Sequence, residues 1–133
     1  MLRITSETDY ALRMILLLSK ENKKLDAKTI SEEMNVPLRF ALKILRNLSA
    51  AGLVRSIKGA GGGYILVREP SEISLKNVIE ATEGEISLNR CLQDFTQCDR
   101  VENKESCCIH RHFVRINEII AEELDKIKFD SMV

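Results

Sequence analysis

Cys91, Cys98, Cys107 and Cys108, with His110 and His112, lie within 22 residues of one another. Thiolates are soft ligands that suit iron-sulfur clusters or zinc, and imidazole is a general partner for transition metals. The stretch is polar, so its cysteines do not read as a buried apolar cluster. It also lacks the paired Cys-x-x-Cys knuckles of a zinc ribbon. Spacing alone leaves open a cluster, a zinc site, or free thiols that respond to oxidation. Disulfides are not expected, because the chain reads as cytoplasmic. An enzyme with Cys91 or Cys107 as nucleophile would need an oriented base and a substrate pocket, and the sequence offers neither. No small-molecule substrate is expected.

A second group of residues suits a polyanion. Arg39, Lys43 and Arg46 recur at spacings of four and three, which places them on one helix face with Asn47 beside them. Arg55 and Lys58 follow, and Lys58 opens the run Gly59-Ala60-Gly61-Gly62-Gly63. A phosphate-cradling Walker loop requires a Lys and then Ser or Thr after its last glycine, with a helix behind it. Here Tyr64 and an apolar run follow, so the glycines are those of a hairpin tip. The net charge is zero, yet residues 1–70 carry 12 Lys/Arg against 7 Asp/Glu, and residues 71–133 carry 8 against 13. A basic half either faces an anion or merely solvates its helices, and pattern has to decide which.

The elements that would position these groups follow from periodicity and punctuation. Ser6 and Asp9 stand at capping-box spacing before Ala11, Leu12, Ile15, Leu16 and Leu18, predicting a first helix over 6–19. Asp26 is the expected N-cap of a second helix carrying Ala27, Ile30 and Met34 on one face, with Asn35 and Val36 as the turn. Pro37 suits the first position of a third helix, and Gly52 its left-handed end. Phe40, Ala41, Ile44, Leu45, Leu48 and Ala51 form its expected buried stripe. Apolar, β-rich runs at 53–57 and 64–67 predict a hairpin closed by Pro70. Ser74 should cap a fourth helix through Leu75, Val78, Ile79 and Ala81, ending near Gly84.

No period is visible from 85 to 106. Ile109, Phe113, Ile116, Ile120, Leu124 and Ile127 then recur at near-heptad spacing along a long final helix that needs a partner. At 44% apolar and 30% charged residues the chain has a globular composition. Its longest apolar stretch, 14–18, cannot span a bilayer, and no secretory signal precedes it. No membrane partner is expected.

Two short helices, the second basic on one face, followed by a glycine-tipped hairpin, give the order of a winged helix-turn-helix. The expected fold is mainly α with a small β-hairpin wing and a long C-terminal dimerisation helix. Its expected parts are a DNA-binding domain at 1–84, a cysteine-rich cluster-binding loop at 85–108, and a dimerisation helix with tail at 109–133. Arg39, Leu42, Lys43 and Arg46 on the reading helix, and Arg55, Lys58, Gly61 and Gly62 in the wing, are the candidate contacts to double-stranded DNA. A winged-helix adaptor that binds only protein would lack their salt-sensitive affinity for duplex.

Thr8-Asp9-Tyr10-Ala11-Leu12-Arg13, Val36-Pro37, Ile44-Leu45 with Leu48, Ala51-Gly52-Leu53-Val54, and Lys58-Gly59 to Gly62-Gly63-Tyr64 with Leu66 carry a resemblance. Over nearly its whole length the chain resembles the IscR/NsrR-type family of bacterial iron-sulfur winged-helix regulators. The resemblance implies a homodimer on the last helix, a palindromic operator, and a cluster loop before that helix. It maps the family's three cysteines onto Cys91, Cys98 and Cys107, followed by His110 and Phe113. Here the gaps between cysteines are longer and Cys108 is an extra thiol, leaving Cys107 and Cys108 as alternatives. In relatives resembling the cluster-biogenesis regulator the His completes a 2Fe-2S site, which points to His110. In those resembling the nitric-oxide sensor, an Asp of the partner's first helix caps a 4Fe-4S cluster, and Asp9 stands at that place.

The Thr8-Asp9-Tyr10 run favours the 4Fe-4S reading, although helix capping alone would explain Asp9. His112 is expected to face solvent. A ligand donated between subunits would tie one subunit's loop to the other's DNA-binding domain. The implied function is a repressor whose operator affinity follows a cluster sensing nitric oxide, redox or iron status, with an apo preparation lacking the cluster. A regulator of the same fold sensing thiol state or zinc is the alternative. Leu42 departs from the polar residue frequent in the middle of the reading helix; it either meets a thymine methyl or packs.

Overall fold

In the computed structural model, which describes residues 3–133, the five expected helices and the hairpin follow in the expected order, with one short helix added in the stretch without a period. Helix α1 (Ser6–Glu21) is capped by Thr5, whose hydroxyl accepts the Thr8 N–H at 3.2 Å. Ser6 is thus the first helical residue and not the cap; the Ser6/Asp9 spacing matched a box one residue out of register. Asp26 caps α2 (Ala27–Met34), its carboxylate accepting the Thr29 N–H at 2.7 Å. That hydrogen bond holds the Asp26 carboxyl below its ordinary range. Asn35, in the left-handed conformation at φ 55°, makes the turn into α3 (Leu38–Ala50). Pro37 sits one residue outside α3, with its carbonyl accepting the Ala41 N–H at 3.0 Å.

Ala41, Ile44, Leu45 and Leu48 are the fully buried stripe of α3, packed with Met14, Ile15 and Leu18 of α1 and Ile30 of α2. Ala51 lies past the helix end and is exposed, so it does not extend the stripe. Strands β1 (Val54–Ile57) and β2 (Gly63–Leu66) pair antiparallel, Val54 opposite Leu66 and Ile57 opposite Gly63. Tyr64 also exchanges both backbone hydrogen bonds with Leu25, at 2.8 and 3.0 Å, seating the wing on the α1–α2 connection. This close approach dictates Gly63: a Cβ there would lie 2.6 Å from the Leu25 carbonyl oxygen.

Helix α4 (Leu75–Glu83) starts with a full capping box between Ser74 and Asn77 and ends at Gly84. The aperiodic stretch that follows holds one short helix, α5 (Arg90–Gln93), and two single turns, Phe95–Gln97 and Lys104–Ser106. Helix α6 (Cys108–Lys126) packs on α4 and α5 and leaves Ile109, Ile116 and Ile119 open to solvent. The chain then returns to its own core. Phe129, 1% exposed, joins the cluster built by α1, α3 and α4, and its N–H donates to Ile73 O at 3.0 Å. Among the described residues no helix is long and apolar enough to cross a membrane.

Truncating a fully buried aromatic leaves a cavity that neighbours fill only in part. Phe129→Ala should therefore lower stability by about 3–5 kcal/mol. Urea unfolding followed by circular dichroism measures it, and a loss under about 1 kcal/mol would show that the tail is not part of the cooperative unit.

Candidate metal centre and nucleic-acid interface

Asn117, on the second turn and a half of α6, fixes where the cysteine loop begins. Its side-chain oxygen accepts the Leu88 N–H and its side-chain nitrogen donates to the Ile86 carbonyl, both at 3.0 Å. Helix α5 then presents Cys91, and the turn Phe95–Gln97 closes with the Cys98 N–H donating to Phe95 O at 2.9 Å. At the far end Cys107 is the N-cap of α6, its Sγ accepting the His110 N–H at 3.4 Å. His110 is buried, with Nδ1 3.2 Å from Cys91 Sγ and its ring edge-on to Phe95 at 5.4 Å.

These pieces surround one cavity of about 830 Å³, whose lining includes Cys91, Cys98, Cys107 and His110 together with Arg90 and Arg100. Cys108 and His112 are exposed and outside that lining. Among the described residues, no three His, Cys, Asp or Glu side chains are gathered closely enough to hold a single metal ion. The donor set has soft-metal chemistry, with thiol sulfurs and a ring nitrogen facing the same space. Asp9 lies elsewhere, half exposed on α1, with its carboxylate 2.9 Å from Arg13 Nε. It does not line its own chain's cavity.

Apart from that cavity, Arg39, Lys43 and Arg46 are exposed along α3, as the sequence spacing implies. With Leu38 and Leu42 they line an open depression of about 770 Å³. In the wing Arg55 and Lys58 are exposed, and Gly61 takes φ +85° at the tip. A Cβ on Gly62 would collide with the Ile57 carbonyl, so the tip cannot carry a side chain there. Two participants escape the sequence reading. Lys24 brings its Nζ to 3.9 Å from the space beside Gly61, adding a cation to the wing. Glu7 of α1 reaches the reading helix, accepting from Asn47 Nδ2 at 3.1 Å and lying 3.4 Å from Lys43 Nζ. Neither contact has a periodic signal, because each joins elements that are distant in sequence.

A basic helix held across two supporting helices, followed by a short glycine-tipped hairpin, defines a winged helix-turn-helix protein. The comparisons carry this further. A family model described as Rrf2, iron-dependent transcriptional regulator, matches residues 4–133, and the chain belongs to that family. It is 31% identical to the HTH-type transcriptional regulator NsrR of Shouchella clausii, over 92% of this chain and 78% of that one. It is 28% identical to the regulator IscR of Pectobacterium atrosepticum, over 99% of this chain and 79% of that one. Among solved structures, CymR (YrzC), the global cysteine regulator of B. subtilis, aligns with a TM-score of 0.77 and 29% identity. That alignment covers 99% of this chain and 96% of CymR. Relatives named as transcription regulators accord with a non-enzymatic, DNA-binding role.

Glu7 offsets charge that would otherwise be free for DNA. Glu7→Gln should steepen the fall of log K with log salt by up to about 0.9, the slope of one added phosphate contact on duplex DNA. Filter or anisotropy titrations at several salt concentrations read this out, and an unchanged slope would mean Lys43 contacts DNA with Glu7 in place.

Proposed function

We propose that this chain is a transcription repressor that binds a palindromic operator as a homodimer and whose operator affinity is set by an iron-sulfur cluster in the cysteine loop. One observation carries the reading: Cys91, Cys98, Cys107 and His110 line a single cavity, while Cys108 and His112 do not. The donor chemistry fits a cluster, and Cys107, as the helix cap aimed inward, is the better ligand of the adjacent cysteine pair. His110 is our choice for the fourth position, because its ring nitrogen already stands beside Cys91 Sγ within the same chain. The resemblance favours Asp9 of the partner subunit instead, with a 4Fe-4S cluster. The exposed isoleucines of α6 support the homodimer.

When bound, a cluster supplies a group that nitric oxide, oxygen or iron scarcity can remove. The chain's own residues connect that site to the reading heads. Cys107 begins α6, Asn117 pins the loop to it, and Asp125 near its end accepts a 2.9 Å hydrogen bond from Ser74 Oγ at the start of α4. Any rearrangement at the loop is thereby delivered to the helix pair from which each DNA-binding half projects.

A second reading, thiol sensing without a cluster, has its own support. The Cys91 thiol and the His110 imidazole lie 3.2 Å apart beside a cavity that Cys98 and Cys107 also line, and CymR is described as a global cysteine regulator.

Absorption spectra with iron and sulfide analysis on protein purified and reconstituted without oxygen separate these readings. About two irons and two sulfides per chain, lost in His110→Ala, is the expected result for the 2Fe-2S site. About four of each, sensitive to Asp9→Ala, would move the fourth ligand to Asp9. No iron after reconstitution, with duplex affinity that changes on thiol oxidation, would replace the cluster by the thiol reading.

A further inference from the structure

The reading helix carries two leucines where polar residues would be the ordinary choice for a solvated face. Leu38 is 46% exposed at the first position of α3, and Leu42, half buried, stands one turn later. At a spacing of four residues they lie on the same face, about 6 Å apart along the axis. Neither belongs to the hydrophobic core, nor to the half-buried apolar side chains packed against it. Packing therefore does not account for them. Both line the open depression on the outer face of α3, flanked by Arg39, Lys43 and Arg46.

The flanking charges identify the occupant. Exposed guanidinium and ammonium groups around an apolar strip suit a partner that is anionic at its rim and apolar at its centre. In a DNA major groove the rim is the phosphate backbone, and the apolar group on the groove floor is the C5-methyl of thymine. The N-terminal half of a reading helix is the part that meets base edges. We propose that Leu38 and Leu42 are specificity-determining residues that read thymine methyl groups on neighbouring base pairs, with Arg39, Lys43 and Arg46 fixing the register on the phosphates. This rests on the DNA-binding reading and is independent of what occupies the cysteine loop.

The test starts by selecting duplexes from a random-sequence library on full-length dimeric protein, using whichever form, iron-loaded or iron-free, binds more tightly. The winning duplex is remade with deoxyuridine replacing thymidine at one position at a time, which removes only the methyl. Wild type should lose about fourfold in affinity at one or two half-site positions, the effect of losing one buried methyl-sized group. Leu38→Ala and Leu42→Ala should each bind the thymine duplex more weakly and become insensitive to uracil at one position. Their salt dependence should stay that of wild type, showing that the fold and phosphate contacts persist.

Salt-sensitive, sequence-selective binding in which no uracil position matters would overturn the methyl readout and leave the DNA-binding reading intact. A uracil effect that persists undiminished in both alanine variants would also overturn it, by placing the methyl contact elsewhere. If no duplex is enriched and binding is insensitive to salt, both readings fall together.

Discussion

The chain closes on itself at one short backbone bridge, and the functional halves depend on it. Ser74 and Lys128 pair antiparallel: Leu75 N–H donates to Ile127 O and Phe129 N–H to Ile73 O, each at 3.0 Å. Everything between, α4, the cysteine loop and α6, is an excursion whose two ends are fastened together. Ile73, Ser74 and Phe129 are buried at the bridge, which shields the Phe129-to-Ile73 hydrogen bond from water, while Ile127 on its outer side is exposed. Ser74 reinforces it by capping α4 while donating to Asp125. The base of the excursion is thereby tied to the DNA-binding core. Its tip is free of that core.

This arrangement spreads the core contacts unevenly along the chain. Between Ile86 and Cys107 none of the described residues belongs to the hydrophobic core, and short caps order the segment locally. Asn89, Asp94 and Asn103 each accept a nearby backbone N–H and close a single turn. Such turns hold a loop in shape without committing it. His110 is the exception, since it is buried and belongs to α6 rather than to the loop. The loop thus presents Cys91 and Cys98 to the same cavity as an imidazole carried by α6.

Much of the fold was legible because helix boundaries are written in local chemistry. Asp26, Ser74, Gly52 and Gly84 act where their side chains or backbone freedom demand, and the hairpin follows from its glycines and β-branched flanks. The misses share a cause. Thr5 and Ser6 are adjacent residues that can both cap a helix, so local chemistry alone did not settle the register of α1. Phe129 lies beyond the last periodic position, Ile127, and its burial is a contact with residues more than fifty positions away. In the site, the clustering of thiols was plain from spacing. Which of Cys107 and Cys108 faces inward was not, because neighbouring residues at a helix start diverge by about 100° and only the start position fixes the phase.

Charge separation completes the division of labour. Net charge along the chain switches from +5 over residues 1–70 to −5 over 71–133, near the base of the excursion. Cations on α3, the wing and Lys24 mark one surface for a polyanion, whereas α6 carries Glu118, Glu122 and Glu123 on exposed positions. An acidic C-terminal half is repelled by the DNA that attracts the reading half, so encounter is biased toward productive orientation before any base is read. Within the reading half, Glu7 reaches α3 and holds Lys43 and Asn47 from the same first turn of α1 that carries Asp9. A contact made or lost at that turn therefore reaches the DNA-facing helix through one intervening side chain.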